Sequence, residues 1–276
     1  MDLNAISVSR DGKWIVCGTR KGTSVWGAEL QRKIVEVEDT NFVGAVDVSP
    51  EPTRFATGTA FGDAKASIWS ITTGERLVGP LKHDNGIQGI KFSPDGRHIA
   101  TVSLNSIYIF DSYNGDQLIT IKSSVPGRYG TTPIVWPSDG RLFAISEDGK
   151  IKSFDTSTGS QLAEWQVHSH DSENPMSIAL SEHNSFIACS AGRSVSFWDT
   201  STHTQLGSIL EDDDEIRGIA FSPDGAHLAI GGNSNETITI WNLSGILPES
   251  YVPITVSSTF SMLEWSIMFV YQSTFL

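Results

Sequence analysis

Short runs of alternating apolar and polar residues recur along the chain, and each ends in a tight polar turn. The clearest are Gly89-Ile90-Lys91-Phe92 before Ser93-Pro94-Asp95-Gly96, and Gly218-Ile219-Ala220-Phe221 before Ser222-Pro223-Asp224-Gly225. A period of two sends alternate side chains to opposite faces, so these runs predict half-buried strands. Weaker copies carry turns at Ser9-Arg10-Asp11-Gly12, Ser49-Pro50-Glu51-Pro52, Pro137-Ser138-Asp139-Gly140 and Ser181-Glu182-His183-Asn184. The turns start at 9, 49, 93, 137, 181 and 222, spaced by 40, 44, 44, 44 and 41 residues. A second landmark keeps the same period: an aromatic closes a short run at Trp26, Trp69, Phe110, Phe154, Trp198 and Trp241. Two landmarks with one period make an internal repeat. Each unit reads as four strands, in the third unit 87–93, 98–103, 106–111 and 117–122, and helical periodicity is nowhere sustained.

One four-stranded sheet has two faces to cover, and packing successive sheets face to face around an axis covers both while leaving only short edges. The pattern therefore predicts an all-β chain, a β-propeller of about six four-stranded antiparallel blades with a rudimentary seventh or an open seam. Ile6, Val46, Ile90, Ile134, Ile178 and Ile219 suit an innermost strand crowded near the axis. Cys17 and Cys189 fall at the same register of units one and five, which separates them too far to bond.

Phe92-Ser93-Pro94-Asp95-Gly96, Phe197-Trp198-Asp199, Phe110-Asp111 and Thr72-Thr73-Gly74-Glu75 carry a resemblance. Over roughly residues 4–245 the chain resembles WD-repeat proteins, especially fungal members with Ser-Pro-Asp-Gly turns. The family pattern is degraded here: the Asp after the aromatic is present as Asp111, Asp155 and Asp199 but replaced by Gly27, Ser70 and Asn242, and the Gly-His pair is echoed only by Lys82-His83. The resemblance implies a hydrogen-bonded tetrad that is incomplete in most blades, leaving packing to carry more of the stability. It also implies a role in holding macromolecules together.

WD-repeat rings commonly close with an outer strand from the extreme N-terminus, but this chain starts directly on the inner-strand phrase Ala5-Ile6-Ser7-Val8. Closure is then expected from packing of blade one on blade six, unless the array is longer. Residues 252–257 are the segment suited to complete unit six. Residues 1–258 form the repeat domain and 259–276 an apolar tail, whose core Trp265-Ser266-Ile267-Met268-Phe269-Val270-Tyr271 needs cover. Adding a strand to the open seam or to a seventh blade would provide it. Glu264 and the Ser and Thr residues disfavour a membrane anchor.

The net charge of −13 argues against a surface built for nucleic-acid backbones, because such binding relies on Lys and Arg releasing counterions. The two cysteines cannot supply a disulfide framework, and there is no Cys/His cluster with zinc spacing. Met1-Asp2-Leu3-Asn4 has neither a basic segment nor an apolar run, so the reading is a reducing compartment, cytoplasm or nucleus.

Phosphate-loop, nucleophile-elbow and HExxH signatures are missing, which predicts no cofactor and no catalytic centre. His168-Ser169-His170-Asp171 has metal-like residue types but reads as a solvated loop between blades. Glu211-Asp212-Asp213-Asp214-Glu215 lacks the spaced ligands and turn glycine of a calcium loop. Because successive antiparallel strands alternate direction, all blade-to-blade links share one rim. They carry Glu38, Asp39, Asp84, Asp171, Glu173 and Glu211 to Glu215 against Lys82, Lys122 and Arg128. That rim is predicted to be acidic. Folding alone gives no reason for five adjacent carboxylates, so Asp171, Glu173, Glu211, Asp212, Asp213, Asp214 and Glu215 are the candidate partner-binding residues, for proteins with basic segments. The function expected is a non-catalytic interaction scaffold. The alternatives are a propeller hydrolase or lyase with converging His and carboxylates at the axial mouth, and a sensor array detached from a fungal signalling ATPase.

Overall fold

In the computed structural model the described residues are 3–38, 41–62, 64–125, 133–167, 176–222, 224–232 and 238–252. Among them there is no helix, and six antiparallel sheets follow one another along the chain. Blade 1 is β1 (Leu3–Val8), β2 (Trp14–Thr19), β3 (Gly22–Gly27) and β4 (Arg32–Glu38). Blade 2 is β5 (Val43–Val48), β6 (Arg54–Thr59), β7 (Lys65–Ser70) and β8 (Arg76–Lys82). Blade 3 is β9 (Gly89–Phe92), β10 (His98–Ser103), β11 (Ser106–Asp111) and β12 (Gln117–Lys122), so three of its strands have the bounds read from the sequence and the inner one is shorter. Blade 4 is β13 (Ile134–Val135), β14 (Arg141–Ile145), β15 (Lys150–Asp155) and β16 (Gln161–Gln166). Blade 5 is β17 (Met176–Leu180), β18 (Phe186–Ala191), β19 (Ser194–Asp199) and β20 (Gln205–Glu211). Blade 6 has three described strands, β21 (Ile216–Phe221), β22 (His227–Gly232) and β23 (Ile238–Asn242). Most of the segment expected to complete it, and the whole apolar tail, lie outside the described residues.

The recurring turn has a local cause. In Ser9-Arg10-Asp11-Gly12 the Ser9 hydroxyl donates to Asp11 at 2.6 Å and accepts the Trp14 N–H at 2.9 Å, and Asp11 accepts the Lys13 N–H at 3.1 Å. Ser93, Asp95, Arg97 and His98 repeat this set. The fourth residue must turn left-handed, with φ of 70° at Gly12 and 71° at Gly96, which glycine tolerates without strain. Blade 5 places Asn184 there at φ 59°, a residue type that also enters this region.

The hydrophobic core is divided into five clusters, each shared by the forward face of one sheet and the rear face of the next. Ile68, Val78 and Leu81 of blade 2, for example, pack on Ile90, Phe92, Ile99 and Phe110 of blade 3. The aromatic landmarks all pair with the same place on the second strand and none is exposed: Phe110 and Phe154 are buried, while Trp26, Trp69, Trp198 and Trp241 are half-buried. Only fragments of the WD-repeat hydrogen-bond network form. His83 accepts or donates at Thr101 Oγ1 (2.7 Å), and Trp69 Nε1 donates to Thr57, whereas Trp26 and Trp198 turn to Ser24 and Ser196 on their own strands. Burial depresses the His83 pKa, with the Leu81 carbonyl and Asp84 opposing it, which favours the neutral ring.

Polar clamps tie neighbouring blades at their rims. Arg54, the first residue of β6, is buried and donates to the Ser112 carbonyl and hydroxyl and to the Gly96 carbonyl of blade 3, at 2.9, 3.1 and 2.8 Å. Its guanidinium lies over Tyr113 at 4.2 Å. Arg141, at the same place in blade 4, donates to the Thr200 carbonyl of blade 5 at 2.8 Å.

The expected packing of blade 6 on blade 1 is not seen. Every other inner strand packs on the next, but among the described residues β21 and β1 make no comparable contact, and no hydrophobic cluster joins their sheets. An exposed ion pair, Arg10 to Glu182 at 3.0 Å, links blade 1 to blade 5 instead.

Candidate functional site

The link between β20 and β21 holds the acidic run, and its five carboxylates do different work. Glu211 is exposed at the end of β20 and accepts the Ser194 hydroxyl at 3.0 Å. Asp212 donates its N–H to the Arg193 carbonyl and accepts the Asp214 N–H at 3.0 Å. Asp214 is buried and accepts the Glu215 N–H at 2.7 Å. It lies so close to Gly232 that a Cβ there would stand 2.6 Å from its Oδ2. Glu215 is half-buried, 3.6 Å from Arg217. The fold thus does give a reason for part of the run: Asp212 and Asp214 brace the link. That leaves Glu211 and Asp213 as its exposed carboxylates. Sequence reading missed this division; the small Gly232 on the adjoining strand was the available signal.

Glu38 and Asp84 are exposed on the same rim, as is Glu147 in a turn between second and third strands. Against them stand Arg20, Lys21 and Arg193, exposed in equivalent turns, and Lys82 and Lys122, exposed at the ends of β8 and β12. Arg20 and Lys21 line a hollow of about 370 Å³ with Thr19, Ser24 and Glu36 on blade 1. Asp171 and Glu173, with the His168 and His170 cluster and Asp39, lie outside the described residues.

At the axis, a small hollow of about 110 Å³ lies among the inner strands of blades 1 to 4. Its one carboxylate, Asp47, is buried and accepts from Ser7 Oγ at 3.3 Å, Lys91 Nζ at 2.9 Å and the Phe92 N–H at 2.8 Å. These donors come from the blades on either side, so Asp47 acts as a fastener between three sheets. No histidine joins it in the lining, and among the described residues no group of three or more His, Cys, Asp or Glu is placed to hold a metal. Both cysteines are free; burial pushes the Cys17 thiol up to about 11 and Cys189 higher still, which keeps them protonated at neutral pH.

Segments 76–111, 159–199 and 203–242 match the family model for the WD domain, G-beta repeat. The chain is 26% identical over 247 residues to eukaryotic translation initiation factor 3 subunit I of Emericella nidulans, covering 83% of this chain and 71% of that protein. The Candida albicans protein of the same name is 22% identical over 253 residues, with 83% and 71% covered. Among solved structures, the Myceliophteria thermophila Cps50 (Swd1) beta-propeller domain superposes with a TM-score of 0.71 at 18% identity, covering 87% of this chain and 82% of that one. With the periodic Ser-x-Asp-Gly turns, six successive antiparallel sheets and matches to the WD-repeat model within blades 2 to 6, this chain is a β-propeller that carries WD repeats.

Proposed function

We propose that the chain is a non-catalytic scaffold whose acidic rim docks a basic segment of another protein. The observation that carries this reading is the β20–β21 link, where Asp212 and Asp214 are spent on bracing the backbone and Glu211 and Asp213 are held outward on a fixed support. Exposed carboxylates in a fixed array steer cationic partners chiefly through association rate. Asp171 and Glu173, which the sequence puts in the link before β17, lie outside the described residues, and the same docking role is proposed for them from the sequence alone. The net charge of −13 supports a protein rather than a nucleic acid as that partner. The curated relatives are named as subunits of a translation initiation factor, which supports a role as one subunit among several and a cytoplasmic setting.

The test is a charge-neutral pair, Glu211→Gln with Asp213→Asn, measured against a Lys- and Arg-rich peptide and against proteins captured from native extract. Association at low salt should slow by roughly 3- to 10-fold, and the difference should vanish near 1 M salt, where the screening length is about 3 Å. The same change at Glu75 and Glu249, on the opposite rim, should leave binding as it was. Equal binding by both pairs at low salt would sink the docking reading.

A further inference from the structure

We infer that Asn85, in the link between blades 2 and 3, is a site of spontaneous modification, where its side-chain nitrogen is lost as ammonia and a new carboxylate joins the rim beside Asp84. The chain holds two Asn-Gly pairs, Asn85-Gly86 and Asn114-Gly115. Such a pair is chemically weak, because glycine has no side chain to hinder attack by its own backbone nitrogen on the asparagine before it. The fold treats the two pairs oppositely. Asn114 is exposed, but its turn is locked: the Gly115 N–H donates to the Asp111 carbonyl at 3.0 Å, Asn114 Nδ2 donates to Asp116 at 2.9 Å, and Asn114 Oδ1 accepts the Asp116 N–H at 2.8 Å. Gly115 is also held at φ 82°, so close to blade 2 that a Cβ would stand 2.9 Å from Val78. Asn85 is half-buried, yet among the described residues neither its carboxamide nor the Gly86 N–H makes a hydrogen bond.

The ends of the link explain the difference. On one side His83 is pinned by its N–H to the Ala64 carbonyl and by its ring to Thr101, and on the other the Ile87 and Gln88 N–H groups donate to the Thr59 and Val102 carbonyls. Asp84, Asn85 and Gly86 bridge these anchors and make no hydrogen bond to either sheet. In the reaction the Gly86 amide nitrogen, having given its proton to hydroxide, attacks the Asn85 carboxamide carbon. A C–N bond closes a five-membered imide while the bond to the side-chain nitrogen breaks, and that nitrogen takes a proton from water and leaves as ammonia. Water then opens the imide at either carbonyl, giving an aspartyl or an isoaspartyl residue at position 85. Both carry a new negative charge next to exposed Asp84, and the second lengthens the link by one methylene. Because the anchors lie outside the reacting pair, the sheets of blades 2 and 3 keep their bonds.

The experiment follows the full chain, freshly purified in mild acid, through incubation at mildly alkaline pH and body temperature. Trypsin then releases 83–91, whose sole asparagine is Asn85, and 98–122, which holds Asn114, and fragment masses assign the site. A mass gain of about 1 Da should build up at Asn85 roughly 10-fold or more faster than at Asn114, whose hydrogen bonds must open before it can react. In the urea-unfolded chain the two rates should agree within about 3-fold, because only the fold separates the pairs. Gly86 is not left-handed, so Gly86→Ala fits the link, and its methyl group should slow the gain at Asn85 by roughly 10-fold with an unchanged far-UV circular dichroism spectrum. Equal rates in the folded chain, or a preference for Asn85 that persists in urea, would overturn the proposal. A gain at Asn85 that Gly86→Ala leaves undiminished would overturn it equally, since the Gly86 nitrogen would then not be the attacking atom.

Discussion

Ile68 and Ile240 hold the same place in their sheets, each on the third strand opposite an alanine, Ala56 or Ala229. Ile68 is fully buried beneath blade 3 and Ile240, on the same face of blade 6, is 45% exposed. The residue type and the local strand are alike, so the difference lies in what the next sheet supplies. In this architecture a blade's forward face gains its burial from its neighbour, as expected when each unit is stabilised through interfaces with the units beside it.

The largest break in this comparison should come from Ile68→Ala. Truncating a buried isoleucine with a cavity left behind costs about 3–4 kcal/mol, against about 1 kcal/mol for Ile240→Ala, whose side chain is already half exposed. Denaturant titration of the two variants measures both, and equal costs would mean that the junction adds nothing. Next comes Arg54→Ala, which strips donors from the Ser112 and Gly96 carbonyls and removes the plane lying over Tyr113. A loss of roughly 2–3 kcal/mol is expected. Arg54→Lys should recover little of it, since one ammonium cannot reproduce the fork and the stacking together.

The smallest effect sharpens the boundary between the closed and open parts. Burial alone would raise the Asp199 pKa, but hydrogen bonds from Ser201, Tyr251 and Thr202 outweigh it and hold the carboxyl well below the usual range. A depressed carboxylate contributes stability that is complete above its unfolded value, about 3.9, and is lost as pH falls toward the folded value. Tyr251→Phe should therefore cost about 1 kcal/mol from pH 8 to 5, with the gap to the parent closing below about pH 4. Thermal unfolding across this range reads it directly, and a gap independent of pH would assign the effect to packing.

What was legible in the sequence follows from locality. The Ser-x-Asp-Gly turns and the closing aromatics depend on bonds within a few residues, so β10, β11 and β12 carry the bounds that the pattern predicts. The contacts between blades were not legible, because a period aligns equivalent residues without saying what faces them. Nothing near Arg54 in the chain points to Ser112, 58 residues away, or near Asp47 to Lys91, 44 residues away. The acidic run looked uniform for the same reason: the burial of Asp214 depends on Gly232, on the next strand of its sheet.

The first residue of each second strand has a further consequence. Trp14, Arg54, His98, Arg141, Phe186 and His227 occupy one register position, yet they meet the next blade in different ways. Trp14 packs on the cluster that holds Ile71, Arg54 and Arg141 reach backbone carbonyls, and Phe186 shares a cluster with Leu243. Such unlike keys act as addresses. A recombinant that exchanged blades 2 and 5 would set Arg54 against an apolar pocket and leave the Ser112 carbonyl facing a phenyl ring. Blade order is thus written into the seams, and gene segments encoding single repeats of this chain are not interchangeable parts.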